Sequence, residues 1–253
     1  MRTPDRTVIL KDHSMTAASG EPTVLALDSA GSGCSVVVAA GGNVLAAEVC
    51  ATAHGQAERL LVMVDAAMRK SRLSPLELDI IGTTVGPGSF TGIRVGLAAA
   101  RGIAFATGAR SVGVTGFEAV AAGLASRADV QQSGFLLVAL ESRREDLYVQ
   151  LFDYARRPLG KPTATMPAAL ATALSGLIGE APLLVAGDAA QRAASMLPRS
   201  DMIVVEESSP DAAGVLRTVL RRTRESENLP KPLPLYLRPP DVSVPTARQG
   251  TDR

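Results

Sequence analysis

Apolar residues fall into short runs and longer periodic stretches, and the change from one to the other predicts the elements. Residues 23–28 form a short apolar run ended by Asp28, the pattern of a buried strand. A small-residue turn over 29–33 follows. Residues 34–40 and 44–50 read as two further strands joined by the hairpin turn Gly41-Gly42-Asn43. From 56 to 70 the period changes: Ala57, Leu60, Leu61, Val64 and Met68 recur at helical spacing and give one apolar face. Ser74-Pro75 punctuates the chain. A strand over 80–85, a long helix over 91–108 and a strand over 111–114 complete a first unit.

The second half repeats the alternation less sharply. A helix over 116–126, strands over 135–140 and 147–152, an Ala/Leu helix over 168–178, and strands over 183–187 and 202–205 are predicted. Ser209-Pro210-Asp211 reads as a helix start, with a capping serine, a proline in the first turn and an acid at the positive end of the dipole. That helix runs to about 224. The order βββαβαβ is neither a simple parallel Rossmann unit nor a TIM barrel. It is the unit of the actin-like, sugar-kinase and Hsp70-type (ASKHA) folds, which normally occurs twice. The expected molecule is an α/β protein of two lobes, with mixed sheets flanked by helices. Residues 1–22 read as a disordered leader, with Met15 a candidate start. Residues 23–112 form the first lobe and 113–207 the second. The helix within 208–228 returns to the first lobe, and 229–253 is a proline-rich tail.

Composition narrows the function classes. The 253 residues are 46% hydrophobic, enough for a sizeable core, and the net charge of +1 gives no basic surplus to announce nucleic-acid binding. With no Trp and 3% aromatic residues, stacking platforms for bases are scarce. No signal peptide and no membrane-spanning run is visible, so a cytoplasmic location is expected. Cys34 and Cys50 lie in strand-like runs and read as buried free thiols; a redox or metal pair would want closer spacing and more ligands. Only His13 and His54 are present, which argues against a multi-histidine metal site.

The candidate chemistry centres on Gly86-Pro87-Gly88-Ser89-Phe90-Thr91-Gly92, a tight turn between a strand and a helix. Such a turn offers backbone N–H groups to an anion, or lets another backbone approach. It misses the dinucleotide fingerprint, because the third glycine comes one residue late and no acid follows at the required distance. It also misses the Walker loop, because no Lys follows the glycines. Ser89 is not framed as a nucleophile elbow. In the next helix Gly92, Gly96, Ala100, Ala104 and Gly108 recur every four residues. This stripe suits close packing, either on the protein's own sheet or on another subunit. Arg94 and Arg101 read as solvated charges on other faces. Asp28-Ser29 stands where actin-like ATPases place a magnesium-holding acid, and a local turn role is the preferred reading. His54 and Glu58 share a helix face but find no third ligand. The charged run 141–146 reads as a solvated hairpin tip.

Together, Leu25-Ala26-Leu27-Asp28-Ser29-Ala30, the His54/Glu58-Arg59-Leu60-Leu61 stretch, the glycine turn, Glu141-Ser142-Arg143 near Tyr148, and Leu235-Tyr236-Leu237-Arg238 resemble the TsaB (YeaZ) family over about 23–241. The resemblance implies an actin-like fold. It also implies a non-catalytic, activating role in making N6-threonylcarbamoyladenosine beside the anticodon of bacterial tRNA, with TsaD as transferase partner and TsaE as a further one. TsaD carries a His-x-x-x-His metal motif; here Glu58 takes the second position, so no metal is expected on this chain. ATP or ADP and metal would be held by the partner subunits, and tRNA would be met indirectly or weakly. The family's docking helices correspond to 56–70 and 91–108. Ala57, Leu60, Leu61, Val64, Met68, Gly92, Gly96, Ala100 and Ala104 are therefore the expected interface, used by a second copy when TsaD is absent. The rival classes are an ATPase or phosphotransferase of the same fold, with Asp28 and Ser29 at its nucleotide site, and an M22-type peptidase-like protein.

Overall fold

A computed structural model describes residues 20–31, 33–51, 56–125, 134–205, 208–225 and 228–238, with the side chains of residues 56–58 outside that description. The leader up to residue 19, His54, the Ala57 and Glu58 side chains, and 239–253 are therefore outside the described residues.

The first unit runs β1 (Val24–Asp28), β2 (Cys34–Ala40), β3 (Asn43–Cys50), α1 (Gln56–Ser71), β4 (Ile80–Thr84), α2 (Phe90–Thr107), β5 (Arg110–Val114) and α3 (Gly116–Leu124). The second runs β6 (Phe135–Glu141), β7 (Leu147–Phe152), β8 (Thr163–Thr165), α4 (Pro167–Ile178), β9 (Leu183–Ala186), α5 (Ala190–Ala194), β10 (Ile203–Val204) and α6 (Ala212–Arg224). The sheet orders are β3-β2-β1-β4-β5 and β8-β7-β6-β9-β10. In each, the first three strands are antiparallel and the last two run parallel to the first. One topology thus occurs twice, which is the actin-like (ASKHA) arrangement.

Strand alternation divides the first sheet into two faces. Leu25, Leu27, Val36, Val38 and Ile81 pack under α1 and α2. Val24, Ala26, Val37, Ala39, Ile80 and Val112 pack under α6. In the second sheet, Leu137, Val149, Leu151 and Val185 meet α4 and α5. Leu136, Val138, Leu140 and Leu184 meet Phe117, Val120 and Leu124 of α3. The last helix of each unit therefore covers the sheet of the other.

Several local readings change. Thr163–Thr165 and Ala190–Ala194 were too short for the pattern to announce, and both are regular. The cap of α6 is Asp211, whose carboxylate accepts from Gly214 N at 2.6 Å, rather than Ser209. The 141–146 run is more than a solvated tip. Asp146 is buried, accepts from Ser142 Oγ at 2.9 Å, and pairs with Arg238 at 2.9 Å. From 228 to 238 the proline-rich segment is laid along the body. Gly113 N donates to Pro230 O and Leu235 N donates to Val85 O, at 2.9 and 2.8 Å. Among the described residues no helix is long and apolar enough to cross a membrane.

Candidate functional site: the glycine turn and its two helices

β4 delivers the chain to the turn at the carboxyl end of the parallel strands, where loops of such sheets gather. Gly86 has φ +110 and Gly88 φ +155, conformations that favour glycine. A Cβ on Gly88 would collide with the Ala30 carbonyl, so the turn lies backbone against backbone on the end of β1. Ser89 N donates to that same carbonyl at 2.7 Å. Ser89 Oγ caps α2 by accepting from Gly92 N at 3.2 Å, and the left-handed Gly108 ends the helix. Phe90 lies over the turn with Arg94 on its ring face at 3.5 Å and Tyr236 beside it, ring centroids 5.7 Å apart. The second unit repeats the device: a Cβ on Gly187 would collide with the Ala139 carbonyl, and Ala189 N donates to that carbonyl at 3.2 Å.

The small-residue stripe faces inward. Gly92 O accepts from Ser29 Oγ at 2.9 Å, and a Cβ on Gly96 would stand 2.7 Å from Ser29 Oγ and 3.1 Å from Thr83 Oγ1. Ala100 is buried in the core between the sheet, α1 and α2, and Ala104 packs against that core. On α1, Leu60, Val64 and Met68 fill the same core. These residues were expected at a partner interface. The structure corrects that for Leu60, Val64, Met68, Gly92, Gly96 and Ala100: they are buried within the lobe itself and cannot line an outer surface. Among the described residues of the α1 set, Leu61 alone is exposed, at 55%.

The outward residues are different ones. Val62 on α1 is 67% exposed and Phe105 on α2 is 93% exposed. Arg94, Ala98, Arg101 and Phe105 follow one another along the open side of α2. The signal for this face was present in the sequence as the positions opposite the stripe on a 3.6-residue wheel. Arg101 is more than a solvated charge, because its guanidinium donates to Pro232 O and ties the helix to the 228–238 segment.

Asp28 is buried at the end of β1, on the α6 side of the sheet. Its Oδ1 accepts from Thr84 Oγ1 at 2.7 Å and from Ala30 N at 3.3 Å. Burial pushes its pKa up to about 6 against the lowering effect of those bonds, and the nearby Asp211 adds to the rise. A magnesium-holding acid should present ionised oxygens to the ion. Here Oδ1 is committed to the chain, and burial raises the pH at which the carboxyl ionises without keeping it neutral at pH 7. The opposing turn is likewise packed on Ala30. Among the described residues no group of three or more His, Cys, Asp and Glu is placed to hold a metal.

Residues 45–173 match the family model of TsaD, tRNA N6-adenosine threonylcarbamoyltransferase. A Mycobacterium tuberculosis protein of uncharacterized function is 33% identical over 201 residues, 79% of this chain and 82% of the relative. The Escherichia coli tRNA threonylcarbamoyladenosine biosynthesis protein TsaB is 32% identical over 126 residues, 49% of this chain and 52% of its own length. The chain belongs to the TsaB/YeaZ family. YeaZ of Pseudomonas aeruginosa has the same fold, with a TM-score of 0.74 at 23% identity, over 85% of this chain and all of that one. The TsaD-model match takes in α1, the glycine turn and α2.

Proposed function

We propose that this chain is a non-catalytic partner subunit in the formation of N6-threonylcarbamoyladenosine in tRNA, and that it acts by docking a TsaD-type transferase through the open side of α1 and α2. The observation that carries this reading is the pair of helices itself. Their inner sides are filled by the lobe's own core, while Leu61, Val62 and Phe105 stand outside it. Burying such side chains on association is worth about 1.5–3 kcal/mol each. Two adjacent helices offering apolar residues suit a helical partner surface. A second copy of the chain would use the same face when the transferase is absent, so self-association and docking compete.

Nucleotide and metal belong to the partner subunits in this reading, a TsaE-type protein among them, and tRNA is reached through the assembly, in the cytoplasm. The test is reconstitution of tRNA modification with the transferase and its remaining partners, with and without this chain. Modification should depend on the chain and fall at least tenfold with Phe105→Glu. Full modification in its absence would remove the proposal.

A further inference from the structure

β2 and β3 place Cys34 and Cys50 directly opposite one another in antiparallel register. The sequence separates them widely, yet the hairpin brings them together. Opposed residues point to one face with Cα atoms about 4.5–5.5 Å apart, inside the range of about 4.4–6.8 Å over which a disulfide closes. That face is the one under α1. Cys34 lies in the core that α1 completes, and Cys50 packs against it, only partly buried.

The two sulfurs have unequal surroundings. Cys34 Sγ donates to Met63 Sδ at 3.4 Å. Burial pushes the Cys34 thiol's pKa up, and the charge and hydrogen bonding of the adjacent Cys50 thiol add to the rise. Cys50 Sγ instead accepts from Arg59 Nη1 of α1 at 3.1 Å. The Arg59 guanidinium thus lies against this sulfur, and in thiol chemistry the thiolate is the nucleophile. One thiol is accessible and beside a cation, and its neighbour is sheltered and within bonding reach.

We propose that Cys34 and Cys50 are a peroxide-reactive pair that closes into an intramolecular disulfide. The Cys50 thiolate attacks one oxygen of a hydroperoxide. The O–O bond breaks, Cys50 becomes a sulfenic acid, and the leaving hydroxide takes the proton released when the thiol ionised. Cys34 sulfur then attacks the Cys50 sulfur, expelling hydroxide that takes the Cys34 proton. The two thiols lose two electrons and two protons, and hydrogen peroxide becomes two waters. In a reducing compartment thiol exchange reverses the bond. The bond clamps the end of β3 to β2 beneath α1, at the sulfur that now anchors Arg59.

The test uses the full wild-type chain. It is exposed to hydrogen peroxide, denatured without reductant, alkylated with N-ethylmaleimide and weighed. The expected product takes up no label, is lighter than the reduced chain by two hydrogen atoms, and regains two labelled thiols after reduction. Cys34→Ser should leave a Cys50 sulfenic acid that dimedone traps, and Cys50→Ser should leave Cys34 reduced. Two alkylatable thiols after peroxide would overturn the proposal, as would a Cys50 sulfinic acid beside a free Cys34, or a bond formed only between chains. The wild-type readout does not depend on the folding of any variant.

Discussion

Asp28 carries a proton that its unfolded counterpart gives up earlier. The pKa is 3.8 for the free carboxyl and about 6 in the folded chain, raised first by burial. Between those values the folded state binds more protons than the unfolded one, so stability falls as pH rises through about 4 to 6 and then levels off. A rise of this size corresponds to about 3 kcal/mol. Asp28→Asn keeps an oxygen for Thr84 Oγ1 and Ala30 N but cannot ionise. It should stabilise the chain by about 1–3 kcal/mol at pH 8 and change little at pH 4, within what one buried charge contributes. Denaturant unfolding of both proteins at the two pH values measures this; parallel profiles would refute it. Gly96 makes a second residue-scale test. Gly96→Val puts its Cβ against Ser29 Oγ and Thr83 Oγ1, both buried and one already bonded to Gly92 O. A loss of about 1–3 kcal/mol is expected from overpacking, read as a lower unfolding midpoint; an unchanged midpoint would show that the stripe is not held by the sheet.

Helix α2 separates what is structural from what is available for contact. Its stripe side rests on β1 and β4, and its open side carries Arg94, Ala98, Arg101 and Phe105. Phe105→Glu and Val62→Glu should therefore weaken association with the transferase at least tenfold. The unfolding free energy should stay within about 0.5 kcal/mol, as for surface changes. Pull-down or calorimetric titration alongside thermal unfolding separates the two effects. Undiminished binding by both variants would exclude this face. The sequence made α2 legible as a helix with a small-residue stripe, because glycine is tolerated there only for a packing reason, at about 1 kcal/mol against Ala. It did not reveal which surface the stripe meets. Periodicity reports that a face is buried, and sheet and partner make the same demand on side-chain size. The same limit explains α1, where Leu60, Val64 and Met68 had the pattern of an apolar face but belong to the lobe's own core. Asp28 and the glycine turn were visible as neighbours in chemistry, whereas the contact of Gly88 with Ala30 depends on strand register, which residue types do not disclose.

The two units exchange their last helices, and the exchange is what joins the molecule. α3 leaves the first unit to cover the second sheet, and α6 leaves the second to cover the first. The helices meet where a Cβ on Gly214 would collide with the Ala119 carbonyl, and Thr218 Oγ1 donates to Glu118 O at 3.3 Å. Arg222 binds the Glu118 carboxylate and donates to Gly113 O at 3.0 Å. The extended 228–238 segment runs over both lobes, from Gly113 and Val85 in the first to Asp146 in the second. Neither sheet is covered on both faces by its own unit, so neither lobe should unfold alone. Gly214→Ala tests this directly. Helix propensity favours Ala by about 1 kcal/mol, but the added methyl meets backbone that cannot rotate away, so the packing loss of about 1–3 kcal/mol wins. The expected result in scanning calorimetry is one transition, moved down by a few degrees, at about 2–4 °C per kcal/mol for a chain of this size. Two transitions, with only the one for the first lobe displaced, would mean that the lobes are stable separately and that the exchange of helices does not couple them.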